Sequence, residues 1–170
     1  MCELIAANRG RKCNASNGGS AEFYPYNFVE DAFTVVDGVA TAVNSSLTEV
    51  FKYEIKGDAN IFNAPLTGDE NTGTSLCLQN LVLQLHTIDS TTSFELTKMT
   101  QGRISGVLKD KNGLYHWVAE NGFKTFIADP TTGGAAADFN GYNITATAES
   151  KTLPALLDED TVTAFLALVS

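Results

Sequence analysis

The sequence predicts a mainly β domain, a sandwich or small barrel of roughly seven to nine strands with one flanking α-helix. Three observations lead there. Apolar residues recur at every second position in short runs, as in Phe51, Tyr53 and Ile55 and again in Tyr142, Ile144, Ala146 and Ala148. Turn sequences separate those runs: Asp37-Gly38, Asn112-Gly113 and Asn121-Gly122. One internal stretch alone carries helix-capping chemistry. No βαβ alternation occurs, and no repeat of roughly 20–50 residues.

The elements follow in order. Residues 1–20 end in Asn17-Gly18-Gly19-Ser20, without periodicity, and read as an arm that a neighbour orders. The body spans 21–153. Phe23, Tyr24, Tyr26 and Phe28 form an aromatic strand that Pro25 confines to an edge or bulge. Phe33–Val36 and Val39–Val43 make a hairpin about Asp37-Gly38, and Phe51–Lys56 reads as a half-buried strand. Residues 57–74 hold Pro65, Gly68, Gly73 and one apolar island, Ile61-Phe62, which predicts a long loop or a projecting hairpin. Leu76–His86 is apolar on both faces, a central strand or one covered by a neighbouring subunit. The helix runs over about 91–102, capped by Asp89 or Ser90 and closed by Gly102, with Phe94 and Leu96–Met99 packing inward. Ile104–Lys109 and Leu114–Glu120 flank Asn112-Gly113, which predicts a type I′ turn. Phe123–Ile127 opens another strand, 129–141 is a second long loop, and Tyr142–Ala148 is the last strand. Residues 154–170 carry Asp158-Glu159-Asp160 and an apolar Thr161–Val169 run, read as an interface segment that is strand, helix or clasp.

Composition narrows the function. The 170 residues carry a net charge of −9, which disfavours nucleic-acid binding. The first twenty residues are nonetheless basic, through Arg9, Arg11 and Lys12, and a basic arm on an acidic body suggests self-association. No run approaches the roughly 18 apolar residues of a membrane span, and Arg9 and Arg11 follow the first apolar run, the wrong order for a secretory signal. Cys2, Cys13 and Cys77 lack metal or disulfide spacing, and synthesis in a reducing cytosol fits them. Three glycosylation-like triplets, at Asn14, Asn44 and Asn143, read as chance matches. His86 and His116 sit on strands without partners at catalytic or zinc spacing. No nucleophile elbow or phosphate-binding loop is present, and Asp69-Glu70 lacks calcium-loop periodicity. No catalytic residue, metal or cofactor is expected.

The stretch Lys109-Asp110-Lys111-Asn112-Gly113-Leu114-Tyr115-His116-Trp117-Val118-Ala119-Glu120-Asn121-Gly122 is followed by Gly133-Gly134 and then by Phe139-Asn140-Gly141-Tyr142-Asn143-Ile144-Thr145-Ala146-Thr147-Ala148-Glu149. Together with Arg9-Gly10-Arg11-Lys12-Cys13 at the start, this order resembles structural proteins of tailed bacteriophages of Bacteroidetes-type hosts, and among them tail-tube proteins. The resemblance implies a β-sandwich or barrel of the tail-tube type with one flanking helix, a long loop or hairpin and terminal arms. It further implies hexameric rings stacked into a tube, located in the virion tail after synthesis in the host cytoplasm. Partners would be further copies, the tape measure, the tail tip and the terminator, with DNA passing unbound along a carboxylate-lined lumen and no membrane involved. Contacts between subunits are expected at Arg9, Arg11, Lys12, Ile61, Phe62, Asp69, Glu70, Phe165 and Leu166. Other readings are a terminator, connector or capsid decoration protein, a hydrolase dependent on His86 and His116, or a carbohydrate-binding sandwich using Trp117, Tyr115 and Tyr24 as stacking platforms.

Overall fold

The computed structural model describes Arg9 and residues 16–170; the expectations for Arg11, Lys12, Cys2, Cys13 and the rest of the arm lie outside these residues. Twelve strands and two helices follow in chain order. They are β1 (Ser20–Asn27), β2 (Phe33–Val36), β3 (Val39–Val43), β4 (Tyr53–Glu54), β5 (Ile61–Asn63), β6 (Leu66–Asp69), β7 (Thr74–His86) and α1 (Ser90–Gln101). After α1 come β8 (Ile104–Asp110), β9 (Tyr115–Val118), β10 (Thr125–Thr131), β11 (Gly141–Ser150), β12 (Leu156–Leu157) and α2 (Glu159–Leu166). One seven-stranded sheet has the order β2-β3-β12-β9-β8-β1-β4, and a five-stranded sheet has β10-β11-β7-β5, with β6 also on β7.

Strand alternation sends the seven-stranded sheet into two cores. Phe23, Leu108 and Val118 face the five-stranded sheet, where they meet Leu81, Leu83, Ile144 and Ala146 together with Leu96 and Met99 of α1. Their neighbours Tyr24, Tyr26, Val107 and Trp117 face the opposite way, onto Phe33, Val50 and Phe165. Edge-to-face contacts join Phe33 to Trp117 at 5.2 Å and Tyr24 to Phe165 at 5.7 Å, and the Trp117 indole donates to the Tyr26 hydroxyl at 2.8 Å. Gly106 is required between the sheets, because a Cβ there would lie 2.5 Å from the Phe23 ring.

Both helices start on an aspartate. Asp89 accepts from Thr92 N at 2.7 Å, and Gly102 closes α1 through Lys98 O. Leu96 and Met99 pack inward, but Phe94 stays exposed under the Lys98 ammonium. Asp158 caps α2 in the same way, and Glu159 and Asp160 complement the positive end of that helix. Residues 154–170 are thus packed onto the body: Leu157 is buried, β12 lies between β3 and β9, and Phe165 is 0% exposed.

Other expectations shift for local reasons. Asp37 and Gly38 both have positive φ, as a type I′ turn needs. At Asn112-Gly113 only the glycine does, because the Asp110 side chain accepts from Asn112 N and Leu114 N and widens the connection. The 51–56 run keeps its pairing with β1 through Phe51 N to Pro25 O and Ile55 N to Ala21 O, although only Tyr53–Glu54 is regular strand. Ala119, with φ 57, is held in the left-handed region by Gln79 Oε1 on its N–H and Ser105 Oγ on its carbonyl, each at 2.8 Å.

Candidate assembly interface

Residues 57–74 resolve into a hairpin rather than a loop. β6 pairs with the first part of β7, from Asp69↔Thr74 to Leu66↔Cys77. β11 covers β7 only from Cys77 onward, so the Thr74–Leu76 end of β7 has β6 as its sole partner and extends past the sheet. Pro65, which has no N–H to give the ladder, separates β5 from β6. Asp69 Oδ1 accepts from Asn71 N, and Gly73, at φ 64, lets the tip reverse. Every residue from 65 to 76 is exposed, including Leu66 at 44% and Leu76 at 46%, and Leu78 lies just beyond. The pairing places Leu66 on one face of the hairpin and Leu76 and Leu78 on the other.

The exposed face of the five-stranded sheet continues from that hairpin. Register aligns Ile127, Thr145, Val82 and Ile61 in one row across β10, β11, β7 and β5. The flanking rows hold Asp129, Asn143 and Gln84 on one side and Thr125, Thr147, Asn80 and Asn63 on the other. Hydroxyls, amides and aliphatic groups dominate these rows. Asp129 is their one carboxylate, while Glu149 beside Leu78 is bridged by Lys124 at 2.7 Å. A carboxylate-lined surface is therefore not what this face presents. Its outer strands, β10 on one side and β5 with β6 on the other, each have one backbone edge unpaired.

The expected contact residues separate into groups. Ile61 is 56% exposed on the outward row; Phe62 turns inward, half-buried, its ring 6.1 Å from that of His116. Asp69 and Glu70 are exposed at the hairpin tip, and Arg9 and Leu166 are also exposed. Phe165 belongs to the core, which corrects its place among the contacts. Leu66, Leu76 and Leu78, none of them among the expected contacts, are exposed on the two faces of the hairpin. The two-faced pattern of Leu76, Leu78 and Val82 was the signal for part of this exposure, whereas Leu66 has no periodic partner in a two-sided polar stretch.

Charged side chains elsewhere pair with one another and with the backbone. Glu22 accepts from the Tyr24 hydroxyl at 2.6 Å and meets Lys52 at 3.0 Å and Lys109 at 3.1 Å. Burial alone would raise its carboxyl, but Tyr24 and the two lysines overcome that and hold it at about 2. Tyr24 is pushed up in turn, by burial first and then by the Glu22 charge. Asp110 likewise resists the upward push of burial, because Leu114 N, the His116 ring and Asn112 N hold it below the ordinary carboxylate range. Burial raises Glu120, which lines a 470 Å³ hollow with Glu30, Asp31 and Arg103. His86 Nε2 lies 3.2 Å from Lys56 O, and His116 Nε2 3.3 Å from Asp110. Among the described residues no group of three or more His, Cys, Asp and Glu side chains could hold a metal, and no helix is long and apolar enough to cross a membrane. Trp117, Tyr115 and Tyr24 are all buried, so they offer no platform for a sugar ring. No protein-family model, curated protein or solved structure matches the chain.

Proposed function

We propose that the protein is a self-assembling structural subunit, the tail-tube protein of a tailed bacteriophage, whose copies form hexameric rings stacked into a conduit for DNA. The observation that carries this reading is the Leu66–Leu78 hairpin, which leaves Leu66, Leu76 and Leu78 exposed where β7 runs out beyond β11. Each is already more than half covered, so taking the remainder out of water is worth about 1 kcal/mol per side chain, a gain that a partner molecule would supply. The open edges of β10 and of β5 with β6 support lateral growth, since a neighbour's strand satisfies an edge that a closed ring would abolish. The three central outward rows of the five-stranded sheet suit a conduit: they carry no lysine or arginine to hold a phosphate, Lys124 at their margin is paired with Glu149, and the chain's net charge of −9 repels a phosphate at longer range. The basic Arg9, Arg11 and Lys12 complement the acidic body of an adjacent copy. Tape measure, tail tip and terminator proteins complete the assembly in this reading.

Negative-stain electron microscopy across a concentration series, beside mass by light scattering, tests it. Stacked rings with a central channel are expected. Isolated rings that never stack favour a terminator or connector, and a monomer that persists at high concentration with a preformed ring or tail tip present rejects assembly altogether.

A further inference from the structure

The chain contains four Asn-Gly pairs, at Asn17, Asn112, Asn121 and Asn140. Asn-Gly is the sequence in which the next residue's backbone nitrogen most readily reaches the asparagine side-chain carbon, because glycine has no Cβ to hinder the approach. Local sequence makes the four alike, but the fold does not.

Three of them are restrained. Both side-chain atoms of Asn112 are engaged, Oδ1 accepting from Asn17 N and Nδ2 donating to Asn17 O, each at 2.8 Å, and Gly113 N donates to Asp110 O. After Asn121, Gly122 is buried and its N–H donates to Ala119 O at 2.8 Å. After Asn140, Gly141 is buried in β11, so close to β7 that a Cβ would sit 2.0 Å from Leu85 O. The fourth is open at its reacting atoms, although Asn112 holds its backbone N and O. Asn17 and Gly18 are exposed, and among the described residues nothing lies within 4 Å of where a Gly18 Cβ would be and neither the Asn17 amide side chain nor Gly18 N makes a hydrogen bond.

We infer that Asn17 is a site of spontaneous deamidation, selected by the fold from four equivalent sequences. Gly18 N attacks Asn17 Cγ, the new C–N bond closes a succinimide, and the side-chain nitrogen leaves as ammonia. Water then opens the ring at either carbonyl and gives aspartate or isoaspartate, with no oxidant or cofactor required. The isoaspartate product routes the chain through the former side chain and converts the former Asn17 carbonyl into a free carboxylate. That carbonyl is the acceptor of Asn112 Nδ2, so the clasp between the arm's root and the β8–β9 connection changes. A negative charge also appears in a hollow of about 420 Å³ lined by Asn17, Asp58, Asp110 and Lys111.

The test incubates the purified full chain at mildly alkaline pH, folded and in denaturant, and follows all four sites by peptide mass mapping with isoaspartyl-specific methylation. In the folded protein Asn17 is expected to react about tenfold or more faster than the other three, the penalty those sites meet in first breaking hydrogen-bonded structure. In denaturant the four rates converge. Equal rates in the folded protein, a faster reaction at another site, or an Asn17 preference that survives denaturation overturns the inference. Asn17→Gln should abolish the fast phase while leaving melting temperature and the slow sites unchanged; a fast phase that persists in this variant also overturns it.

Discussion

At the scale of single residues, the half-buried Glu22 and the buried Gln79 carry consequences that can be measured. Glu22 has its carboxyl lowered from 4.5 to about 2 by Tyr24, Lys52 and Lys109 acting against burial. A carboxylate depressed on folding adds stability at pH values above its unfolded value and loses it as pH falls through the folded one. Melting temperature should therefore drop between pH 4.5 and about 2 in the native chain. Glu22→Gln should be less stable at pH 7 and should lose less over that acid window; parallel acid curves would disprove the role. Gln79 is 2% exposed, bonds Ser150 Oγ through Nε2 and supports the left-handed Ala119 through Oε1. Gln79→Met leaves the Ala119 N–H unpaired, and chemical denaturation should show a loss of about 1–3 kcal/mol. Sequence reading had no route to this pair, since forty residues separate it and a left-handed alanine carries no sequence mark.

At the scale of elements, strands with regular alternation and the capped helix α1 were legible. β11 and the inner face of β7 follow their apolar period, and Asp89 and Gly102 bound α1 where capping chemistry puts them. The short elements were not. α2 covers only eight residues, and its apolar positions fit strand or helix equally until Asp158 is seen to cap it. Only part of the assembly patch was readable, because exposed leucines are recognisable as exposed only after β6 and β7 have paired. The hairpin separates two kinds of substitution. Leu66→Ser or Leu76→Ser removes a side chain already in water, so stability should move by no more than about 0.5 kcal/mol while the concentration needed for assembly rises about tenfold. Phe165→Ala instead opens the core beneath Tyr24 and Phe33 and should cost about 3–5 kcal/mol. Light scattering beside thermal melts distinguishes the two, and a hairpin variant that assembles like the native chain would remove the hairpin from the interface.

For the whole molecule, charge and contact chemistry pull in opposite directions. Copies that each carry −9 repel at range, while the surfaces offered for contact are aliphatic, hydroxyl and amide. Salt screens the repulsion and leaves apolar burial intact. Raising ionic strength from about 0.01 to 0.15 M should lower the protein concentration at which scattering rises. Assembly that weakens over the same range would instead place Arg9, Arg11 and Lys12 at the centre of the contact.

β12 is two residues long, yet it is the link between the β2-β3 pair and the β9-β8-β1-β4 group, with Leu156 and Leu157 beside Val39 and Ala40 and Leu156 beside His116. During synthesis the two halves of this sheet therefore wait, unjoined, until residues 156–157 leave the ribosome. Every strand carrying the proposed assembly surface is made before then. A nascent chain thus holds its exposed hairpin and open edges without the completed body behind them, and neighbouring polysomes meet an unfinished surface rather than a finished domain.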